Sequence, residues 1–233
     1  MTRLALDTST EAFSVAIEHN GEIHSHFEVA PRKHAELLLP TIQALLTQVD
    51  TTMQEVDLVV YGRGPGAFTG VRIAISAAQG LALGADCDTL GVSSLMNLAH
   101  QAFDKSDADV AACAIDARMG EVYFALYERG GDGLPRLCGK EQVVAPDQAA
   151  VAELGERKVV GIGSGWSVYQ DILTSRLGAE PTLILEQSFP DAAASLFLAS
   201  FDELLQSRHA PEQAVPVYLR DNVAKKSSKQ VKK

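Results

Sequence analysis

Cysteine is scarce in this chain of 233 residues: Cys87, Cys113 and Cys138 stand far apart, and no CxxC pair occurs. An odd number of scattered thiols excludes a disulfide framework and a zinc knuckle, so all three read as packing residues. No apolar run reaches the roughly 20 residues that cross a bilayer, and the chain enters a strand directly, without the charged and apolar regions of a signal peptide. The expectation is a soluble, cytoplasmic protein. Basic charge is also in deficit. A formal net charge of −10 disfavours a broad nucleic-acid-binding surface, because such affinity rests on clustered Lys and Arg. The exception is the lysine-rich end, where residues 224–233 carry five lysines and no acid. That composition cannot build a core, so residues 221–233 read as a solvated flexible tail rather than an RNA-binding arm.

Catalytic motifs are missing as well. A metalloprotease needs two His at helical spacing with an acid to activate water. Here His34 and Glu36 are two apart, His100 is isolated, His209 lies near the C-terminus, and His19, His24 and His26 fall in a hairpin. No metal site is expected. Gly163-Ser164-Gly165 lacks the GxSxG elbow of a serine hydrolase. With no catalytic residue emerging, a binding or scaffold protein is favoured over an enzyme.

What the chain does have is the run Gly62-Arg63-Gly64-Pro65-Gly66-Ala67-Phe68-Thr69-Gly70-Val71-Arg72 between an apolar strand and a long helix. It lacks the lysine of a P-loop and the spacing of a dinucleotide fingerprint. Two readings stay open. The helix start offers unpaired N–H groups to an anion, with Gly64, Gly66, Thr69 and Gly70 as weak contact candidates. Alternatively, the glycines only let the turn pack tightly while Phe68 plugs the core.

A second feature is an internal echo. Leu4-Ala5-Leu6-Asp7 aligns with Cys113-Ala114-Ile115-Asp116, and each apolar strand leads through a polar turn into a second β-rich run, Phe13 to Ile17 or Val122 to Leu126. Helical spacing of Leu38, Ile42, Leu45 and Val49, the apolar strand from Leu58 to Tyr61, and the helix after the glycines complete the first half. The second half adds a strand over residues 158–162 and a helical run near 192–205. Gly130 to Gly133 reads as a turn at the far end of the second hairpin. The pattern predicts an α/β protein of duplicated β-β-β-α-β-α lobes facing a cleft. The lobes fall at residues 1–105 and 106–220, an organisation similar to the actin, hexokinase and Hsp70 (ASKHA, ribonuclease H-like) folds. Asp7 and Asp116 then occupy the hairpin turns where such ATPases hold metal and phosphate. Side chains follow both where glycines would be wanted, so each also reads as a turn residue, with Asp116 paired to Arg118. Arg118 at a cleft-facing turn suits a phosphate or carboxylate.

Several blocks, in order along the chain, resemble the bacterial TsaB (YeaZ) family: Leu6-Asp7-Thr8-Ser9-Thr10, residues 32–40 (RKHAELLLP), the glycine run, Gly91 to Leu95, residues 115–123 (IDARMGEVY) and Pro216 to Arg220. The resemblance implies an accessory, non-catalytic protein that pairs with TsaD, works with the ATPase TsaE, and supports transfer of threonylcarbamoyl from its adenylate to adenosine of tRNAs reading ANN codons, the t6A modification. It implies contact with tRNA only through the complex, homodimers formed by the same surface, no required cofactor, and at most weak ATP or ADP at the partner interface or cleft. Where TsaD carries a metal-binding HxExH, this chain has Ser94, Met96 and Leu98, which removes that ligand chemistry. The helices at about residues 33–49 and 68–84 are the expected partner surface, with Leu38, Ile42, Ala74, Ala77, Ala78 and Leu81 as interface residues. The alternatives are an autonomous nucleotide hydrolase, a peptidase and a passive homodimer.

Overall fold

The computed structural model describes residues 1–220, so the lysine-rich tail lies outside the described residues. Ten strands form two sheets of five. In the first, β1 (Arg3–Asp7), β2 (Ala12–His19), β3 (Glu22–Val29), β4 (Leu58–Gly62) and β5 (Asp88–Val92) lie in the order β3-β2-β1-β4-β5. In the second, β6 (Val110–Arg118), β7 (Glu121–Arg129), β8 (Pro135–Val144), β9 (Val159–Ile162) and β10 (Leu183–Leu185) repeat that order as β8-β7-β6-β9-β10. Each sheet opens with antiparallel strands and adds two parallel ones. Leu4 sits between Ile17 and Val59 as Cys113 sits between Ala125 and Ile162. Strands β1, β4 and β9 are buried along their whole length, which fits the apolar runs of β4 and β9 and the apolar centre of β1 between Arg3 and Asp7.

Helices cover both faces of both sheets. On the outer face of the first sheet lie α1 (His34–Gln48) and α2 (Phe68–Ala85), burying Leu38, Ile42, Val71, Ala74 and Ala78 against Leu4, Leu6, Val15 and Val59. On the outer face of the second lies α4 (Ser164–Leu177), whose Trp166 is fully buried and donates to the Ala112 carbonyl at 2.8 Å.

The inner helices are exchanged between the lobes. α3 (Ser94–Asp104) belongs by sequence to the first half, yet Leu95, Leu98 and Phe103 pack with Cys113, Ile115 and Val160 of the second sheet. α5 (Ala192–Leu198) belongs to the second half, yet Leu196 and Leu198 pack with Ala5, Val60 and Leu90 of the first. The division at residue 105 therefore separates the strands and the outer helices but not α3 and α5. The helical run expected over 192–205 is two pieces, α5 and α6 (Asp202–Leu205), parted at Ala199 to Phe201.

The structure corrects four of the interface residues. Leu38, Ile42, Ala74 and Ala78 point into the protein's own core and are at most 3 % exposed, so they are unavailable to a partner. α2 is apolar on more than one face, and spacing alone did not identify the inner one. Ala77 and Leu81 lie at the edge of that core, half-buried. Outward stand Ser76, Gly80, Leu83 and Gly84, with Leu83 75 % exposed. α2 is also 18 residues long with mean hydropathy 1.2, which by length and composition alone would cross a membrane, although 33 % of it is buried inside this fold.

Candidate functional site

The expected site residues gather where the first hairpin turn meets the glycine run. β1 ends at Asp7, and Thr8 to Glu11 fold over the start of α2. A side chain at Gly62 would overlap the Asp7 carboxylate, and one at Gly70 would overlap the Thr8 carbonyl oxygen. The Ala67 amide donates to the Ser9 carbonyl at 2.7 Å, and the Thr8 hydroxyl donates to the Gly70 carbonyl at 2.7 Å. The glycines thus let two backbone segments touch. Gly64 holds the start of α3, its carbonyl accepting from the Ser94 amide at 3.0 Å. Phe68 does not plug the core: it is 47 % exposed, with the Arg72 guanidinium 3.5 Å above its ring and Tyr218 stacked at 5.6 Å.

Asp7 is buried to 2 % exposure. Its Oδ1 accepts from the Ser9 amide at 2.8 Å and the Ser9 hydroxyl at 2.6 Å, while Oδ2 has no hydrogen-bond partner. Burial pushes the carboxyl up to about 6, with Asp191 adding a smaller push and the Ser9 bonds opposing it. Asp116, its counterpart at the end of β6, accepts from the Arg118 amide at 3.0 Å and guanidinium at 2.9 Å. The other arm of Arg118 reaches Glu11 of the first lobe at 2.6 Å.

Between these turns lies a cleft of about 230 Å³. One wall is a strap that the sequence motifs did not reveal as structural, residues 214–220. The Val217 amide donates to the Arg63 carbonyl at 3.0 Å, and Arg72 donates to the Tyr218 hydroxyl at 2.8 Å. Arg220 donates to the Ala117 carbonyl at 3.1 Å and pairs with Glu121. Glu11 and the strap were missed because a single acid and an extended segment carry no periodicity. Both rim arginines, Arg118 and Arg220, are engaged by carboxylates, and the Asp7 turn is closed by packing. These residues fit a nucleotide phosphate poorly. Among the described residues, no three His, Cys, Asp or Glu side chains gather as a metal-ligating group.

Residues 17–228 match the family model described as TsaD, tRNA N6-adenosine threonylcarbamoyltransferase. The chain is 43 % identical, over 96 % of both chains, to the tRNA threonylcarbamoyladenosine biosynthesis protein TsaB of Escherichia coli K12. It is 37 % identical to the protein of that name from Haemophilus influenzae, over 96 % of this chain and 95 % of the relative. Among solved structures it superposes on YeaZ from Pseudomonas aeruginosa with a TM-score of 0.85 and 43 % identity, covering 94 % of this chain and 99 % of that one. A further Pseudomonas aeruginosa structure, described as an uncharacterized protein similar to peptidase YEAZ, gives a TM-score of 0.86 at 44 % identity with the same coverage.

Proposed function

The chain belongs to the TsaB family of tRNA threonylcarbamoyladenosine biosynthesis proteins, with an actin-like duplicated fold, and from that premise we propose that it serves as a non-catalytic partner of TsaD. In this reading TsaD performs the transfer of threonylcarbamoyl to tRNA adenosine, TsaE joins the assembly, and tRNA meets this chain only through the complex. The observation that carries it is the outer face of α2. Gly80 and Gly84 sit inside a helix, each about 1 kcal/mol worse there than alanine, and an added Cβ at either would meet nothing within 4 Å. The fold itself gives no packing reason for glycine at these positions. A second helix approaching closely along Ser76, Gly80 and Gly84 does, and Leu39 of α1 is 60 % exposed as well. A second copy of the chain would use the same surface in the absence of TsaD.

The peptidase and hydrolase readings have less support. The Asp7 turn is closed by backbone packing, and Arg118 is held between two carboxylates. The test is t6A formation from threonylcarbamoyl-adenylate and unmodified tRNA by TsaD and TsaE, with and without this chain. Product only in the full mixture is expected. Equal product without the chain would overturn the partner role, and product from the chain alone would overturn its non-catalytic status.

A further inference from the structure

Every fourth residue along the outer side of α2 falls in one row, Phe68, Arg72, Ser76, Gly80 and Gly84, and all are exposed. The row is uneven. It is low at Ser76, Gly80 and Gly84 and tall at its head, where Phe68 and Arg72 stand beside Tyr218 of the strap. Arg72 is the sole charged side chain among the 18 residues of α2. A solvated helix face ordinarily carries several charges, so a single cation on this one is unusual. Its guanidinium lies 3.5 Å from the Phe68 ring centroid and 5.6 Å from that of Tyr218, and its Nε donates to the Tyr218 hydroxyl at 2.8 Å. These contacts fix its plane. Arg118 and Arg220 on the cleft rim are paired with carboxylates, whereas the terminal nitrogens of Arg72 meet no acceptor among the described residues. Phe68 and Tyr218 are 47 % and 46 % exposed, and a shallow groove of about 340 Å³ runs past Phe68, Arg72 and Ser76, joining the tall end of the row to the low end.

On the footing of the TsaD partnership, we propose that Arg72, clamped by Phe68 and Tyr218, is the specificity anchor of the docking face and takes a carboxylate side chain on the TsaD helix that packs along Ser76, Gly80 and Gly84. A guanidinium immobilised before binding offers a carboxylate two parallel N–H donors and loses little side-chain freedom on docking. Arginine and exposed aromatic rings are also the side chains that anchor interfaces. The occupant follows from kinship. The match to the TsaD family model spans residues 17–228, α1 and α2 included, so TsaD brings related helices to the contact and the two faces meet as near-equivalents. The small residues then set how near the helices come, and Arg72 sets their register. It lies about 12 Å along the helix axis from Gly80, so a partner helix slipped by one turn keeps the close approach and loses the acid. A partner without that acid leaves a desolvated, unpaired guanidinium, which disfavours it.

The experiment measures the affinity of the full chain for TsaD by calorimetry at low and high salt, with melting temperatures and self-association by sedimentation recorded for each variant. Arg72→Gln is expected to weaken the complex about tenfold or more and to flatten its salt dependence, and Arg72→Glu to abolish it, both with melting temperatures within a few degrees of wild type. Tyr218→Phe removes the Nε bond and keeps the ring, so it separates an anchor from a mere tie to the strap; a loss of less than about threefold is expected. Equal losses in Tyr218→Phe and Arg72→Gln would overturn the anchor. So would unchanged affinity in Arg72→Gln where Gly80→Glu abolishes the complex, an outcome that leaves the TsaD partnership standing. Loss of self-association alone in Arg72→Gln would overturn TsaD as the occupant in favour of a second copy, and failure of the wild-type chain to bind TsaD would overturn partnership and anchor together.

Discussion

The two lobes share a strand order and differ in what covers their outer faces. Between β3 and β4 the first lobe inserts the helix α1. Between β8 and β9 the second has only residues 145–158, with one short 3-10 turn at Pro146–Gln148. That loop shields the second sheet with Ala149 and Leu154 and is held down by Arg176, which donates to the Ala149 carbonyl at 2.6 Å. The first lobe thereby gains a pair of helices with a shared outer surface. The second covers its sheet with one helix and a loop, α4 being kinked at Tyr169. Duplication supplied the scaffold; the inserted helix gives only the first copy a two-helix outer surface, which is where the proposed docking face lies.

The largest expected effect separates the inside of α2 from its outside. Ala74→Glu puts a carboxylate at a position with no exposed surface, against the first sheet, and is expected to destabilise the fold by roughly 3–5 kcal/mol or prevent folding. Gly80→Glu, six residues along on the open side, is expected to leave the melting temperature within a few degrees and to abolish co-elution with TsaD. Val168→Glu, on the exposed side of α4, is the control from the other lobe and should change neither. Loss of the complex with Val168→Glu, or its survival with Gly80→Glu, would reverse the assignment of the docking lobe.

Next in size is the contrast between Asp7 and Asp116. The folded chain holds the Asp7 proton up to about pH 6, against 3.8 for an ordinary Asp, so it binds that proton more tightly than the unfolded chain does. The stability this confers is fully present below pH 3.8 and is lost as pH rises to about 6. Above that, a buried charge costs the fold about 3 kcal/mol. Asp7→Asn keeps an acceptor for Ser9 and removes the charge. It is expected to be more stable than wild type at pH 7.5, and to lose the downward slope in denaturant midpoint between pH 4 and 6. Asp116→Asn disturbs an arginine pair at the surface and should change stability by less than about 1 kcal/mol. An unchanged slope in Asp7→Asn would mean that the carboxylate is solvated after all.

These contrasts mark how far the sequence could be read. The hairpins were legible because an apolar run stops at an Asp in both halves, and α1 and α2 because their apolar spacing is helical. The inner face of α2 was not, since Ala74, Ala78, Ser76 and Gly80 are all small and its large apolar residues stand on both sides, Val71 and Ile75 inward, Phe68 and Leu83 outward. The exchange of α3 and α5 was hidden for another reason: each helix has apolar residues to bury, but nothing in its own sequence names the sheet it covers. Glu11 became significant only when folding placed it beside Arg118, 107 positions away.

A smaller effect tests the docking face from the side of stability. Gly80→Ala places one methyl in open space inside a helix, so the isolated chain is expected to gain up to about 1 kcal/mol. The same methyl would hold an approaching helix away and weaken association with TsaD or with a second copy. Gain in melting temperature with loss of affinity is the signature of a glycine kept for a partner. A gain in both would leave the helix face without a reason for its glycines.

The smallest effect concerns the tie between the lobes. Arg118 joins Asp116 of the second lobe to Glu11 of the first, with its side chain 71 % exposed. Solvent screens both pairs, so Arg118→Gln is expected to cost less than about 1 kcal/mol, diminishing further in high salt. The lobes do not rely on that bridge, because α3 and α5 already cross between the sheets and the strap binds both through Val217 and Arg220. Truncation after Ala214 would remove the strap instead, and the melting temperature should then fall further than in Arg118→Gln. The reverse order would place the mechanical coupling of the lobes in the charged turn rather than in the strap.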